Sequence, residues 1–484
     1  MNALASSTAI PGHLGEVVTP DHDDYDEVRA VFNGSIDRRP ALIARAESAF
    51  DVQAALRFAR DEGIPFTTRA GGHSLAGFST IDDGLVIDVR RLKRIEVDLD
   101  SQRASAGAGL EWGELDAATQ AHGLAVTGGR ISNTGIAGLT LGSGSGWLER
   151  RHGLTADSLV GATVVTANGE IVHASAHENP DLFWGLRGGG SNFGIVTEFE
   201  FELHEVGPTI LGGMLLFPWD RAREVLRAYR DVMQGAEDDL GGCAAIIVAP
   251  PAPFVPPELV GTPILSLAVA AFGPLDRAEG LVAPLRALRP LADEVGPMPY
   301  TALQRMLDDS APGGMQGHFE ASFMDGLPDA AIDELVCHGE RIVSPLTHVL
   351  IQPLGAAYAR VPAQATALSH RDAGWMYHAL SIWADPADTP QNRAWSQGLV
   401  EALAPYSRRG VHPNHVSSDS RQRVRSFYGD ETYERLVAVK DRWDRENVFC
   451  HNQNIRPSSG RGGQAVPAGV RRQAASPPHG ERGE

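Results

Sequence analysis

The chain has 484 residues, enough for two domains of ordinary size, and its 43% hydrophobic and 21% charged residues are those of a folded globular protein. A formal charge of −19, from 42 Lys and Arg against 61 Asp and Glu, argues against nucleic acid or an anionic membrane as partner and favours neutral or cationic small molecules over anions. Three scattered cysteines, Cys243, Cys337 and Cys450, make neither a disulfide framework nor a zinc site, and the N-terminal residues carry no leader pattern. With no run near the roughly 20 apolar residues of a membrane helix, a cytoplasmic location is expected.

Residues 41–69 read as strand, helix, strand: ALIARA, then a capping box of Ser48 with Asp51, then VQAALRFARDEG stopped at Gly63, then IPFTTRA. Short strands follow in LVIDVR and IEVDLDSQRASAGAG, a helix in EWGELDAATQAHG, and a strand in LAVTGG. From 159 to 203 the pattern is strand LVGATVV, strand EIVHASA, a helical patch at DLFWGL and strand GIVTEFEFELH. Past 207 the texture changes to long apolar or alternating strands, LGGMLLFPW, CAAIIVAP, PILSLAVAAFG, HVLIQPLG and WMYHALSIW, separated by amphipathic helices such as RAREVLRAYRDVM and NRAWSQGLVEALA. This predicts an antiparallel sheet with one face covered by helices. Residues 424–457 return to a helix and a closing segment, and the Gly/Pro/Arg-rich stretch from Ser458 onward is expected to be disordered.

Two glycine-rich stretches carry the chemistry. Arg69-Ala70-Gly71-Gly72-His73-Ser74 follows a strand, and its paired glycines let backbone N–H groups turn toward one point, as a phosphate nest requires. A glycine turn bearing a surface histidine is the plain alternative. Residues 128–147, GGRISNTGIAGLTLGSGSGW, are too rich in glycine for a helix and suit a chain lying flat against a large planar ligand; a turn between strands is the alternative.

Together with GLTADSLVGATVVTANGE, DLFWGLRGGGSNFGIVTEFEFEL and the closing YGDETYERLVAVKDRWDRENVFCHNQNIRP, these stretches resemble the berberine bridge enzyme-like FAD-linked oxidases of the vanillyl-alcohol oxidase superfamily. The resemblance implies an α+β fold. A PCMH-type FAD-binding domain is formed by residues 36–207 and 409–457, a middle substrate domain spans 208–408, and 458–484 is a tail. It implies FAD joined covalently to His73, with Ala70, Gly71, Gly72 and Ser74 around the pyrophosphate. The wider cofactor-binding set would be Arg69, Thr134, Gly135, Gly138, Gly142, Asp157, Val196, Asn452 and Asn454. A second link, made by a cysteine in many relatives, is ruled out because Ile131 holds that position. Thr134 stands where relatives tune the access of O₂.

The founding relatives keep a carboxylate where this chain has Asn452, which takes no proton at neutral pH. The base would then be His451, or a middle-domain residue such as Tyr377, with Asn452 positioning the substrate; Tyr358 and His378 lie on the same domain's strands, and alternation sets Tyr377 and His378 on opposite faces. His370, His412 and His415 read as structural or surface residues, and Asp308-Asp309 as solvated. The implied activity is removal of hydride from a C–H bond beside a hydroxyl or amine of a neutral or cationic secondary metabolite, with O₂ as acceptor. An oxygenating or cyclising tailoring enzyme is the alternative within chemistry, and a flavin-binding protein without catalysis the alternative outside it.

Overall fold

A computed structural model describes residues 9–408, 410–417 and 424–459. Its first sheet places Leu42–Arg45, Leu85–Asp88 and Phe66–Arg69 in parallel, with Leu85–Asp88 between the other two, and Val17–Val18 added antiparallel at one edge. Parallel strands need a crossover, supplied here by the helix Ala49–Asp61. Ser48 caps that helix, its hydroxyl accepting from the Asp51 N–H at 3.2 Å. Val17–Val18, which precedes residue 36, is thus part of the same sheet as Leu42–Arg45.

A five-stranded antiparallel sheet follows, in the order Ile95–Asp98, Arg103–Gly107, Ile195–Glu202, Leu159–Val165, Ile171–Ser175. One hydrophobic core joins both sheets and also takes in Val411, Val416, Phe427, Tyr428, Leu436, Val439, Phe449 and Ile455 from the far end of the chain. The closing helix Asp430–Trp443 is tied in by a buried ion pair, Lys440 to Asp444 at 2.6 Å, whose ammonium also donates to the carbonyls of Asn192 and Phe449.

Between these two stretches lies an eight-stranded antiparallel sheet whose central strands are Pro263–Ala271, Leu240–Val248, His348–Pro353 and Trp375–Trp383. The helices Ala222–Gln234, Leu275–Arg286, Asp329–Gly339 and Thr389–Leu403 bury their apolar sides on one face of it. The other face turns toward the first unit, where Cys243, Ala268 and Phe272 pack with Trp147 and Leu148.

Three elements depart from the sequence reading. The edge strand Gln316–Met324, in which Phe319, Ala321 and Phe323 alternate with His318, Glu320 and Ser322, lies outside the strands named in the sequence reading. The helix Asp329–Gly339, with Ala331, Ile332, Leu335 and Val336 at helical spacing, adds to the amphipathic helices named there. Within the glycine-rich stretch, Ile136–Leu141 is a short helix: Gly135 and Gly142 lie at its ends and only Gly138 inside it. The stretch from Ser458, apart from Ser458 and Ser459, lies outside the described residues.

Candidate functional site

A long cavity runs between the two glycine-rich stretches and opens onto the inner face of the eight-stranded sheet. One side is the loop after strand Phe66–Arg69, and Ala70, Gly71, Gly72, His73 and Ser74 all line it. The backbone at Gly72 has φ +77°, a conformation that favours glycine. Ser74 closes the turn by accepting from the Phe78 N–H at 3.0 Å.

His73 stacks on Phe32, with ring centroids 4.3 Å apart. Burial lowers its pKa to about 4 against the opposing hydrogen bonds to Asn133, so the imidazole is neutral at physiological pH.

The second stretch crosses the first in backbone contact. A Cβ on Gly71 would lie 2.3 Å from the Gly135 nitrogen, and one on Gly135 would lie 2.4 Å from the Gly71 nitrogen. Both positions therefore require glycine. Thr134, Gly135, Gly138 and Gly142 line the cavity beyond this crossing, and Val196 lines it from strand Ile195–Glu202. The stretch is pinned from outside at two points. Asp308 accepts from the Ser132 N–H at 2.7 Å and from its hydroxyl at 2.6 Å, so this acid is a clamp and not a solvated group. Asn414 donates to the carbonyls of Gly138 and Leu139 at 3.1 and 3.2 Å.

Three expected cofactor residues stand outside the cavity lining. Arg69 is buried, and its guanidinium donates to the carbonyls of Val28 and Ala30, propping the loop from behind. Burial lowers its pKa to about 10. Asp157 is taken by a buried two-point ion pair with Arg371, at 2.6 and 2.8 Å. Asn454 is half-buried beyond the cavity wall.

Of the expected catalytic residues, Asn452 and His451 line the cavity and Tyr377 does not. Asn452 donates to the Ser191 carbonyl at 3.0 Å and the Phe449 carbonyl at 3.3 Å, leaving its buried Oδ1 without a partner. His451 sets Nε2 3.1 Å from the Thr80 carbonyl and 3.2 Å from the Arg38 guanidinium, with its ring edge-on to Phe78. Tyr377 points to the helix-covered face, packed in one core with Tyr229, Trp375 and Ala379. The pleat decides this outcome: His378, one residue on, pairs with Leu350 and faces the cavity beside it.

Sequence reasoning missed much of the wall opposite the loop. Arg130, Gln352, His412 and His415 line it with His378. Arg130 pairs with the buried Glu149 at 3.0 Å, donates to Gln352 Oε1 at 3.2 Å, and lies over the Trp147 ring at 5.2 Å. Gln352 in turn donates to Ser145 at 3.1 Å and to Glu149. Among the described residues, no Asp or Glu lines the cavity; its ionisable groups are Arg130 and the histidines. Single polar residues inside apolar strands, Gln352 in HVLIQP and His378 in WMYHALSIW, were the available signal.

Comparison with known proteins agrees with this geometry. A family model described as FAD binding domain matches residues 40–175, and one described as berberine and berberine like matches residues 412–456. The (R)-6-hydroxynicotine oxidase of Paenarthrobacter nicotinovorans is 32% identical over 475 residues, 94% of this chain and 99% of that protein. The glucooligosaccharide oxidase of Sarocladium strictum is 29% identical over 475 residues, 90% of this chain and 91% of that one. The crystal structure of 6-hydroxy-D-nicotine oxidase from Arthrobacter nicotinovorans superposes with a TM-score of 0.82 at 30% identity, covering 93% of this chain and 99% of that one.

Proposed function

Because this chain belongs to the berberine-like family of FAD-linked oxidoreductases, we propose that it oxidises a small neutral molecule at a carbon bearing a hydroxyl group, with O₂ as final acceptor. When bound, FAD supplies the acceptor for hydride and the means of passing electrons to O₂. The residues present fit that group: two glycine stretches in backbone contact admit a flat ring system, and Asn452 offers a buried, unpartnered oxygen at the cavity edge. On this reading Ala70, Gly71, Gly72 and Ser74 hold the pyrophosphate and Thr134, Gly135, Gly138, Gly142 and Val196 lie along the cofactor. Arg69 and Asp157 act from behind, each fixing a stretch that lines the cavity or adjoins it.

Covalent attachment through His73 is part of this proposal. Its support is a neutral imidazole, able to act as nucleophile, held in the cavity wall by Phe32. A second attachment has no residue to make it, because Ile131 lines the cavity where relatives keep a cysteine and none of Cys243, Cys337 and Cys450 does.

The observation that carries the choice of substrate is the composition of the wall. With neutral imidazoles, an amide and a paired guanidinium, and no facing carboxylate among the described residues, a cationic amine finds no counter-ion there. A hydroxyl finds both donors and acceptors. An amine oxidised in its uncharged form is the second reading, favoured by the 32% identity to a hydroxynicotine oxidase.

The test is anaerobic mixing of the purified holoenzyme with a panel of secondary alcohols, a glucooligosaccharide and 6-hydroxynicotine while flavin absorbance is followed. Bleaching by an alcohol, followed by peroxide on admitting air, is the expected result. Bleaching by the amine alone would move the assignment to the second reading, and turnover in air without peroxide would point to oxygenating chemistry.

A further inference from the structure

Three histidines meet on the substrate side of the cavity. His378 comes from strand Trp375–Trp383, while His412 and His415 flank the short turn after the substrate domain. The rings of His378 and His415 are stacked, centroids 4.7 Å apart and planes within 6°, and the His412 ring lies 5.4 Å from that of His415. Each ring keeps one buried nitrogen without a hydrogen-bond partner: Nε2 of His378, Nε2 of His412 and Nδ1 of His415. All three belong to side chains that line the cavity, where a bound molecule can supply the missing partner.

We propose that His378 and His415 act together as a one-proton acceptor for the hydroxyl of the substrate. This rests on the oxidase reading above. In the reaction the substrate O–H bond breaks and its proton passes to an imidazole nitrogen of the pair. The C–H bond breaks with both electrons, leaving as hydride to the oxidant that FAD provides, and a C=O bond forms. Stacked imidazoles this close share one positive charge but resist two, which makes the pair a single acceptor.

The groups facing the pair keep it empty in the resting protein. Arg130 faces both rings, with its partners Glu149 and Gln352 behind it, and His348 faces His378. His412 adjoins His415 and is itself faced by His370 and Arg371. Burial first, and these neighbours second, hold His378 well below the ordinary imidazole value and His415 at about 4. The parallel rings do not converge on a point, and the described residues contain no group suited to holding a metal ion.

The experiment combines a ¹⁵N-histidine NMR titration of the holoenzyme with stopped-flow flavin reduction by the most effective panel alcohol, for wild type, His378→Phe, His415→Phe and His412→Phe. Wild type is expected to show both rings neutral at pH 7 and uptake of one shared proton on acidification. Removing either member should raise the pKa of the other. Reduction at pH 7 should fall by about 10²–10⁴-fold in either pair variant. The acidic limb, on which the wild-type rate falls as the pair gains its proton, should vanish from both pair variants and persist in His412→Phe. Persistence of that limb in both pair variants overturns the proposal, as does independent uptake of two protons. If no alcohol bleaches wild-type flavin, the alcohol reading fails, and the NMR titration alone then decides whether the pair is a one-proton unit.

Discussion

A side chain in this cavity is useful according to which of its atoms the fold leaves unspent. His73 has a neutral ring held against Phe32, and we expect wild type to stay yellow after denaturation while His73→Ala releases its flavin to the supernatant. A flavin peptide mapped to a cysteine would contradict the single attachment. Tyr377 lies in the helix-covered core, so Tyr377→Phe should leave the rate of flavin reduction within about two-fold of wild type, far short of the 10²–10⁴ that loss of a proton acceptor removes. His73 was legible because its motif is contiguous in sequence. The face that His378 turns to the cavity was not, since alternation separates two faces without saying which is buried against what. The pairing of His378 with His415 was beyond reach, because 36 intervening residues bring the turn back over the strand only in the folded chain.

At the scale of elements, the crossing at Gly71 and Gly135 is the tightest constraint. Gly71→Ala or Gly135→Ala would force backbone apart, and we expect a cost of at least 1–3 kcal/mol, roughly that of overpacking a core, together with loss of flavin; thermal denaturation and the ratio of flavin to protein absorbance measure both.

The helix Trp112–Gln120 meets the helix Tyr300–Arg305 at a buried acid, Asp116, which accepts from Gln304 at 2.7 Å. Burial raises its pKa to about 7 against 3.8 in the open chain. The folded state therefore holds a proton that the unfolded state has lost between about pH 4 and 7, and stability from this group falls as pH rises through that window. Asp116→Asn should thus gain in melting temperature relative to wild type on going from pH 5 to pH 8. A gap that stays constant with pH would show that Asp116 is ionised throughout.

Amphipathic helices and the strands around Leu85–Asp88 were readable from periodicity, though not their parallel arrangement. The strand Gln316–Met324 carries the same kind of signal, with Phe319, Ala321 and Phe323 alternating with polar residues; periodicity leaves open only which face meets the cavity, here that of Phe319.

At the scale of the whole molecule, residues 181–192 are tied to the closing segment 443–455. Asn192 donates to the Gln453 carbonyl at 3.2 Å and accepts from the Ile455 N–H at 2.9 Å, and Trp443 donates to Asp181 at 3.1 Å. Lys440→Met would leave Asp444 charged and unpaired in the interior, a change worth about 3–5 kcal/mol, and should unfold the closing helix and empty the cavity; calorimetry of the variant tests this. Removal of residues 461–484, by contrast, should leave flavin content unchanged. That the last segment joins the first was an implication of the family resemblance carried by motifs at both ends. The joint between the sheet and the flavin side, made by Arg130, Glu149 and Gln352, was not, since these residues are distant in sequence and form no motif.

The shared core has a consequence for the timing of synthesis. Strands near residue 45 share a core with Leu436 and Phe449, so the nascent chain must hold an unfinished surface while the roughly 200 residues of the inserted domain emerge. At about 5–20 residues per second, that wait lasts on the order of ten seconds to a minute, during which the exposed apolar edge needs shelter from aggregation. A ribosome that stops early yields a chain that cannot hold its flavin, and loss of colour then reports an incomplete message as faithfully as a damaged site.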